Sequence, residues 1–269
     1  MLSAIIPTYT NDQGLFKLID QLKELKNIEI IIIDNKPNNE KKEKLKNFVY
    51  LPQPKNLGFA KAVNLGAKKA KGKWLLILND DIELESQNSK VKSQKLINSI
   101  LNFAQESHLD AVSPVLIKPT GELENLGYKV LPIGRVKLIT NNQSPITNND
   151  IDGLTAACLF IKRDVFEKIG GFDESFFAYL EDVDLFLRLK NQGFRFGIDP
   201  STFVIHNHMT TSKNLGFFKE KQDFINWIRV ILKNWGLKKI ILHLPGIIIE
   251  RGRNLSGLIK KMLKVYLSQ

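Results

Sequence analysis

Asn79, Asp80 and Asp81 stand together directly after five apolar residues, Trp74 to Leu78. Two adjacent carboxylates repel one another unless a cation or hydrogen bonds offset the repulsion. Oxygen ligands of this kind suit a hard divalent cation, Mg²⁺ or Mn²⁺. Read without a ligand, the same acids are solvated turn residues that cap the next helix. A second acidic group, Glu181, Asp182 and Asp184, follows a Gly-led, aromatic-rich stretch from Gly170 to Leu180. A helix starting near Glu181 would crowd all three into its first turn, where the macrodipole favours anions by a few tenths to about 1 kcal/mol each. That accounts for one or two acids and leaves the aromatic loop unexplained. Asp182 as a general base on that loop accounts for both. His206 and His208 flank Asn207 after a strand pattern, so they point to the same side, and either is a candidate ligand.

These groups need a frame that brings them together. Leu2 to Ile6 reads as a strand, Gly14 to Leu25 as a helix, and Ile28 to Ile33 as a second strand ending at Asp34-Asn35. A charged helix or loop, Glu40 to Asn47, precedes a short strand near Phe48 to Leu51. A helix opens at Asn56-Leu57-Gly58-Phe59-Ala60 and ends at Gly72, and the strand Trp74 to Leu78 follows. This βαβαβ series predicts a doubly wound, mostly parallel sheet, a fold of the α/β class. The strand ends Pro7-Thr8-Tyr9, Asp34-Asn35 and Asn79-Asp80-Asp81 then converge on one rim, where open α/β sheets bind ligands. Further on, a helix is expected over Ser86 to Ser107 and a strand over Ala111 to Ile117. A hairpin and loop are expected over Gly121 to Asn149, and strands over Gly153 to Ile161, Phe194 to Ile198 and Thr202 to Ile205.

The 269 residues carry a formal charge of +11, which calls for an acidic partner: nucleic acid, a phosphorylated ligand or an anionic membrane. The charge is uneven. From Lys213 to Gln269, twelve Lys/Arg face three Asp/Glu, a net +9. Apolar residues recur at helical spacing from Gly216 to Trp235. Ile240 to Ile249 is apolar but interrupted by Pro245-Gly246, and Leu258 to Leu267 shows a further apolar face. Basic amphipathic segments of this kind lie on anionic membranes, or they pack back on the domain or a twin subunit. Two parts are therefore expected: a domain over 1–212 and a basic amphipathic helical tail over 213–269. The single cysteine, Cys158, lies in an apolar run and excludes an intrachain disulfide, which fits a reducing compartment. The first residues lack the pattern of a signal peptide, and no run reaches the roughly eighteen apolar residues of a membrane span. The expected location is the cytoplasm, peripheral at the inner face of the cell membrane.

Taken as a set, these residues resemble a family 2 glycosyltransferase of the GT-A fold. Ile5-Ile6-Pro7-Thr8-Tyr9 resembles the opening strand of that family, and Ile31-Ile32-Ile33-Asp34-Asn35 its second. Asn56-Leu57-Gly58-Phe59-Ala60, continued to Asn64, resembles its Asn-Gly helix start. Leu78-Asn79-Asp80-Asp81 falls where the family has its DxD motif. Gly171-Phe172-Asp173-Glu174 through Glu181-Asp182-Val183-Asp184 is similar to its acceptor-side base motif. The order and spacing match over roughly residues 1 to 212, and the subgroup looks rhamnosyltransferase-like, from bacterial surface-polysaccharide synthesis. Asn79 replaces the first DxD aspartate, Thr10 stands where Asn is frequent, and Ala156 stands where many members have Gly. His206 with Thr210, Thr211 and Ser212 matches the usual His-Gly-Gly stretch only loosely, which leaves His206 and His208 open as the metal-side histidine.

The resemblance implies an inverting transfer from a nucleoside diphosphate sugar to a glycan or lipid-linked acceptor, with no nucleic acid partner. It places Pro7, Thr8, Tyr9, Asp34, Asn35, Asn56, Gly58, Phe59, Asn64, Asn79 and Asp80 on the donor side. Phe172, Asp173 and Glu181 fall on the acceptor side, Asp182 is the base, and Asp81 with His206 holds Mg²⁺ or Mn²⁺. Two other readings compete. A nucleotidyltransferase would carry a Gly-rich basic loop after the first strand, whereas Pro7-Thr8-Tyr9-Thr10-Asn11-Asp12 has neither feature. A non-catalytic, membrane-associated binding protein on the same fold would be expected to lack Asp81 or Asp182. The sequence leaves the sugar, the nucleotide base, the acceptor and the oligomeric state open.

Overall fold

A computed structural model describes residues 1–84, 93–140, 150–207 and 217–267. The first half comprises β1 (Leu2–Thr8), α1 (Asp12–Leu22), β2 (Ile28–Asp34), α2 (Asn39–Leu45), β3 (Val49–Pro52), α3 (Phe59–Ala67), β4 (Trp74–Leu78), β5 (Ile82–Glu83) and α4 (Ser93–Glu106). Then come β6 (Ala111–Ile117), β7 (Leu123–Asn125), β8 (Tyr128–Val130), β9 (Val136–Leu138), β10 (Cys158–Lys162), α5 (Arg163–Lys168), α6 (Glu181–Asn191), β11 (Phe196–His206), α7 (Phe218–Asn234) and α8 (Leu237–Leu267).

The strands line up as β3-β2-β1-β4-β10-β6-β11-β5, with β7 along β6, while β8 and β9 form a separate hairpin. Pairing is parallel from β3 to β4. Beyond β4 the sheet is mixed: β10 is antiparallel to both β4 and β6, β11 is parallel to β6, and β5 closes the edge antiparallel. Side-chain alternation makes both faces apolar. Ile5, Ile31, Ile33, Leu75 and Ile77 pack with Ala60, Val63 and Ala67 of α3. Ala4, Ile6, Ile30, Ile32, Leu76 and Leu78 pack with Leu15, Leu18 and Leu22 of α1 and Leu96, Ile97 and Ile100 of α4. Coverage on both faces explains why these strands read as continuous apolar runs. The chain moves outward from β1 to β2 and β3, then returns to the other side of β1 with β4. The strand order therefore reverses between β1 and β4, the place where α/β sheets open a ligand crevice.

Several elements differ from the expectation. The strand expected over Gly153 to Ile161 forms only from Cys158 onward; Gly153 makes an isolated bridge to Tyr128. The two strands expected over Phe194 to Ile205 are one, β11, whose register against β6 shifts between Asp199 and Phe203. The fully buried Asp199 holds that irregularity by accepting from Ser201 N (3.0 Å), Ser201 Oγ (2.7 Å) and Thr202 Oγ1 (3.0 Å). The segments expected on either side of Pro245-Gly246 form one helix, α8, with Pro245 inside. Ile241 and Leu242 beside it are exposed, so water can satisfy the carbonyl that the proline leaves without a donor. The beginning of the helix expected over Ser86 to Ser107 lies outside the described residues.

The boundary expected at residue 212 also lies outside the described residues, but α7 behind it is bonded into the body of the molecule. Its Trp227 and Val230 pack with Tyr128, Phe176 and Val183. Its polar side chains reach the stretch from Asp173 to Asp184 through Asn226, Arg229, Lys233 and Asn234. α8 seats Ile247 against Ile231 and Trp235. It leaves Leu237, Ile241, Leu242, Ile248, Ile249, Leu263 and Tyr266 exposed.

Candidate active site

The residues after β4 sit at the strand-order reversal. Thr8 Oγ1, at the end of β1, donates to Asp80 Oδ2 at 2.6 Å. Asn11 caps α1 by accepting from Gly14 N, and its Nδ2 donates to the Asp80 carbonyl at 2.9 Å. Burial pushes the Asp80 carboxyl up to about 6; the Thr8 hydrogen bond opposes this and the Asp81 charge adds to it. Asp81 is different: its Oδ1 is buried and has no hydrogen-bond partner. Its nearest charged neighbour is His206 Nε2, at 3.3 Å.

β11 delivers that histidine, because pairing with β5 sets His206 opposite Ile82. The other ring nitrogen, Nδ1, lies 3.1 Å from both carboxylate oxygens of Glu124. Burial opposes a charge on the ring, but Asp81 and Glu124 outweigh it and push the imidazole up to about 9. A carboxylate on one ring nitrogen with the other aimed at an acidic oxygen is the support that metal-ligating histidines receive. A divalent cation between Nε2 and the buried Asp81 Oδ1 would displace the ring's proton and take over its partnership with the carboxylate. Among the described residues no three His, Cys, Asp or Glu side chains close a metal site unaided. Mg²⁺ commonly takes one or two protein ligands and completes its shell with water and substrate phosphates. His208 lies outside the described residues.

Other residues expected on the donor side are brought to the same rim in different states. Asn35 Oδ1 accepts from Leu57 N (3.0 Å), and Asn56 Oδ1 accepts from Gly58 N (2.9 Å). Gly58 has φ +76°, and a Cβ there would stand 2.2 Å from the Phe177 carbonyl, so only glycine fits. Phe59 N donates to that same carbonyl at 2.7 Å, which ties this loop to the aromatic stretch. Tyr9 is half-buried with Lys36 Nζ 5.8 Å from its ring centroid, and Pro7 lies within β1. Asp34 is fully buried. Its carboxylate accepts from Lys41 Nζ (3.0 Å), Tyr50 Oη (2.7 Å) and Lys36 N (2.9 Å). Lys41 is buried as well and also reaches Asp12 at 3.1 Å. Asn64, expected on the donor side, is turned elsewhere. Its amide both donates to the Phe172 carbonyl (2.7 Å) and accepts from Phe172 N (3.0 Å), so it pins the loop before α6.

On the acceptor side, Phe172 is a core residue rather than a lining one, packed edge-on against Phe59 and Phe166. Asp173 pairs with Lys233 of α7 and accepts from Ser175 N. Asp184 is held by Arg188 Nε and Asn234 Nδ2, each at 2.8 Å. Arg188 spends its remaining nitrogens on the Ile169 and Gly171 carbonyls. Asp184 is thus a hub of the loop and helix start. Glu181 is buried with Oε2 lacking a partner. Asp182 Oδ1 accepts from Val183 N at 2.8 Å, and the carboxylate also accepts from the Ala156 backbone. Burial raises both acids above the ordinary carboxylate range, and each also feels Asp223 of α7. Asp223 is itself pushed up to about 6, again by burial first.

One short segment joins the two sides. The Ala157 carbonyl accepts from Asn79 N at 2.9 Å, and the Ala156 backbone N–H donates to Asp182. The DxD-like strand end and the candidate base are therefore linked through two consecutive residues.

Lys41, Tyr50, Glu124, Asn11 and the polar face of α7 were not foreseen from the sequence. Only Asn11 leaves a local signal, an Asn three residues before Gly14 at a helix start.

Residues 3–170 match Glycosyl transferase family 2. This chain belongs to that family. Among curated relatives it is 31% identical over 176 residues to the O-antigen biosynthesis protein RfbC of Myxococcus xanthus, covering 61% of this chain and 13% of that protein. It is 27% identical over 214 residues to the dTDP-rhamnosyl transferase RfbF of Shigella flexneri, covering 76% of this chain and 68% of that one. Among solved structures, GalNAc-T7 with UDP, GalNAc and Mn²⁺ superposes with a TM-score of 0.67 at 15% identity. That match covers 90% of this chain and 49% of GalNAc-T7. The fold is of the GT-A type, and RfbF is named as a dTDP-rhamnosyl transferase.

Proposed function

We propose that this chain is an inverting glycosyltransferase that moves a sugar from a nucleoside diphosphate donor to a hydroxyl of a glycan or lipid-linked acceptor. The observation that carries the reading is the Ala156-Ala157 link, which sets a DxD-like strand end beside a half-buried, proton-accepting carboxylate. Asp182 takes the proton of the acceptor hydroxyl as its oxygen bonds to the anomeric carbon. The bond to the diphosphate oxygen breaks on the opposite face, and the nucleoside diphosphate leaves with the electron pair. A single displacement of this kind inverts configuration. Asp81 and His206 would hold a divalent ion, Mg²⁺ or Mn²⁺, which supplies positive charge to the departing diphosphate. Glu124 orients His206. Thr8 and Asn11 fix Asp80 at the donor, and Asn35, Asn56, Gly58 and Phe59 shape the loop beside it.

The names of the relatives point to surface-polysaccharide synthesis, with rhamnose as the first sugar to test. The chain is incubated with a panel of nucleotide sugars, dTDP-rhamnose first, with and without Mn²⁺, and release of the nucleoside diphosphate is followed. Divalent-dependent release, accelerated by a glycan acceptor, is expected. Formation of a nucleotide sugar from a nucleoside triphosphate and a sugar 1-phosphate would replace this reading with the nucleotidyltransferase one. Binding without turnover would replace it with a non-catalytic one.

The exposed apolar face of α8 and the +9 charge of residues 213–269 support docking on an anionic membrane, at the cytoplasmic face. Among the described residues no helix is long and apolar enough to cross a membrane. Cosedimentation with anionic vesicles should weaken with salt and with Ile241→Asp or Ile248→Asp. Vesicle binding that is unchanged by these variants, or self-association that they abolish, would assign this face to a protein partner.

A further inference from the structure

The base stands on a helix whose first residues are set by an unusual turn. Tyr179 and Leu180, immediately before Glu181, both have left-handed backbone, with φ +69° and +67°. Non-glycine residues seldom adopt this region singly, and two in succession persist only when their surroundings over-determine them. Leu180 occupies the N-cap position of α6 and offers no side-chain cap. What holds the turn comes from much later in the chain. Asn226, fully buried on α7, donates through Nδ2 to the carbonyls of both Ala178 (2.9 Å) and Tyr179 (2.8 Å). Its Oδ1 accepts from Arg229 Nη1 (2.8 Å), which also donates to the Ser175 carbonyl (2.8 Å) and so fixes the orientation of the amide. The turn is flanked by Phe176, Val183, Trp227 and Tyr128, an apolar setting that leaves those carbonyls few other donors.

We propose that Asn226 is a positioning residue for the transfer reaction: it fixes the Tyr179-Leu180 turn and thereby the aim of Asp182 at the acceptor hydroxyl. The inference rests on the glycosyltransferase reading and extends the catalytic apparatus into the C-terminal helices. The partners of Asn226 are Ala178, Tyr179 and Arg229, none of them Asp80, Asp81 or His206. Its removal should therefore lower turnover without altering the donor site. A misplacement of the reacting groups by about 1 Å can cost on the order of 10²-fold in rate.

The test uses the full chain. Asn226→Asp keeps the shape but cannot donate to the two carbonyls, and Asn226→Gln keeps an amide donor. Transfer kcat, donor KM and the thermal shift given by a nucleoside diphosphate with Mn²⁺ are measured for both. Asn226→Asp is expected to lose about tenfold or more in kcat, with donor KM and thermal shift unchanged. Asn226→Gln should recover part of the loss. In an Asp182→Asn background, Asn226→Asp should cause little further loss, because there is no base left to aim. Parental kcat in Asn226→Asp overturns the proposal, as does a parallel loss of kcat and donor affinity or full additivity with Asp182→Asn. If Asn226→Asp does not fold, an Asn226→Gln enzyme with lowered kcat but unchanged donor KM and nucleotide thermal shift supports it, and parental kcat or loss of the thermal shift in Asn226→Gln overturns it. A parent chain that transfers no sugar while still shifting with nucleoside diphosphate would instead refute the glycosyltransferase reading itself.

Discussion

Asp182→Asn should make the protein slower and more stable at once. The amide keeps the size of the carboxylate, and its oxygen can still accept from Val183 N and the Ala156 backbone. It cannot take a proton. Loss of a general base costs about 10²–10⁴ in rate, equivalent to about 2.7–5.4 kcal/mol of barrier. The stability gain comes from the neighbouring acids. Glu181, Asp182 and Asp223 are all raised, by burial first; the Asp182 and Asp223 charges add to it at Glu181, Asp223 at Asp182 and Glu220 at Asp223, so the folded chain binds their protons more tightly than an ordinary carboxylate does. Between the ordinary value, about 4, and the raised one, the folded state holds more protons than the unfolded state, and stability falls as pH rises. The cost is absent at about pH 4 and fully present above the raised window. Each tenfold gain in proton affinity on folding corresponds to about 1.4 kcal/mol. Counting one such decade for Asp182, at about 2–4 °C per kcal/mol for a chain of this size, the variant should melt at least roughly 3–6 °C higher at pH 8 and no higher near pH 4. Thermal melts at the two pH values and a transfer assay at pH 8 read both effects. The parent's rate should fall on acidification at a pH above the ordinary carboxylate range. A variant that melts lower at pH 8, or that transfers within about tenfold of the parent, would refute the assignment of Asp182 as a desolvated, repelled base.

Asp81→Ala should abolish the Mn²⁺-dependent thermal shift given by a nucleoside diphosphate and with it transfer; an unchanged shift would remove Asp81 from the metal site. Glu124→Gln should weaken Mn²⁺ in the same titration by about 10–100-fold by loosening the hold on His206, and unaltered Mn²⁺ affinity would show that Glu124 has no such hold. Lys41→Met leaves the buried Asp34 without its cationic partner, and chemical denaturation should show a loss of about 3–5 kcal/mol. A loss below about 1 kcal/mol would mean that Tyr50 and Lys36 N alone offset the charge.

The rim at the strand-order reversal was legible where an apolar run stops abruptly at polar residues. Trp74 to Leu78 followed by Asn79-Asp80-Asp81, and Ile30 to Ile33 followed by Asp34-Asn35, announce buried strands and the rim beyond them. What failed to show depends on distant partners. Glu124 meets His206 across 82 positions and lies in a stretch that reads as hairpin and loop. Lys41 is indistinguishable in sequence from Lys42 and Lys44, yet it alone of the three turns inward to Asp34, because the α2–β2 approach decides its burial. Asn64 belongs to the Asn-Gly helix start, but the fold spends its amide on a loop 108 positions later. The polar residues of α7 look like a solvated face until the carbonyls of 175, 178 and 179 are known to lie against it. Pro245 misled in the opposite sense: the sequence suggests a break, whereas exposure of the neighbouring turn lets the helix continue.

The order in which the site's parts occur along the chain has a consequence during synthesis. Thr8, Asn11, Asp34, Lys41, Asp80 and Asp81 all come from the first 81 residues, on or beside strands that pair parallel to one another. Glu124, Asp182, His206 and Asn226 arrive later, and His206 reaches Asp81 only when β11 pairs with a strand made more than 120 residues before it. Contacts of such sequence separation form late. A nascent chain can thus assemble its nucleotide-facing half while it still has no group to take a proton and no histidine beside Asp81. Under the proposed mechanism, the transfer apparatus is complete only once α6, β11 and α7 have been made and seated.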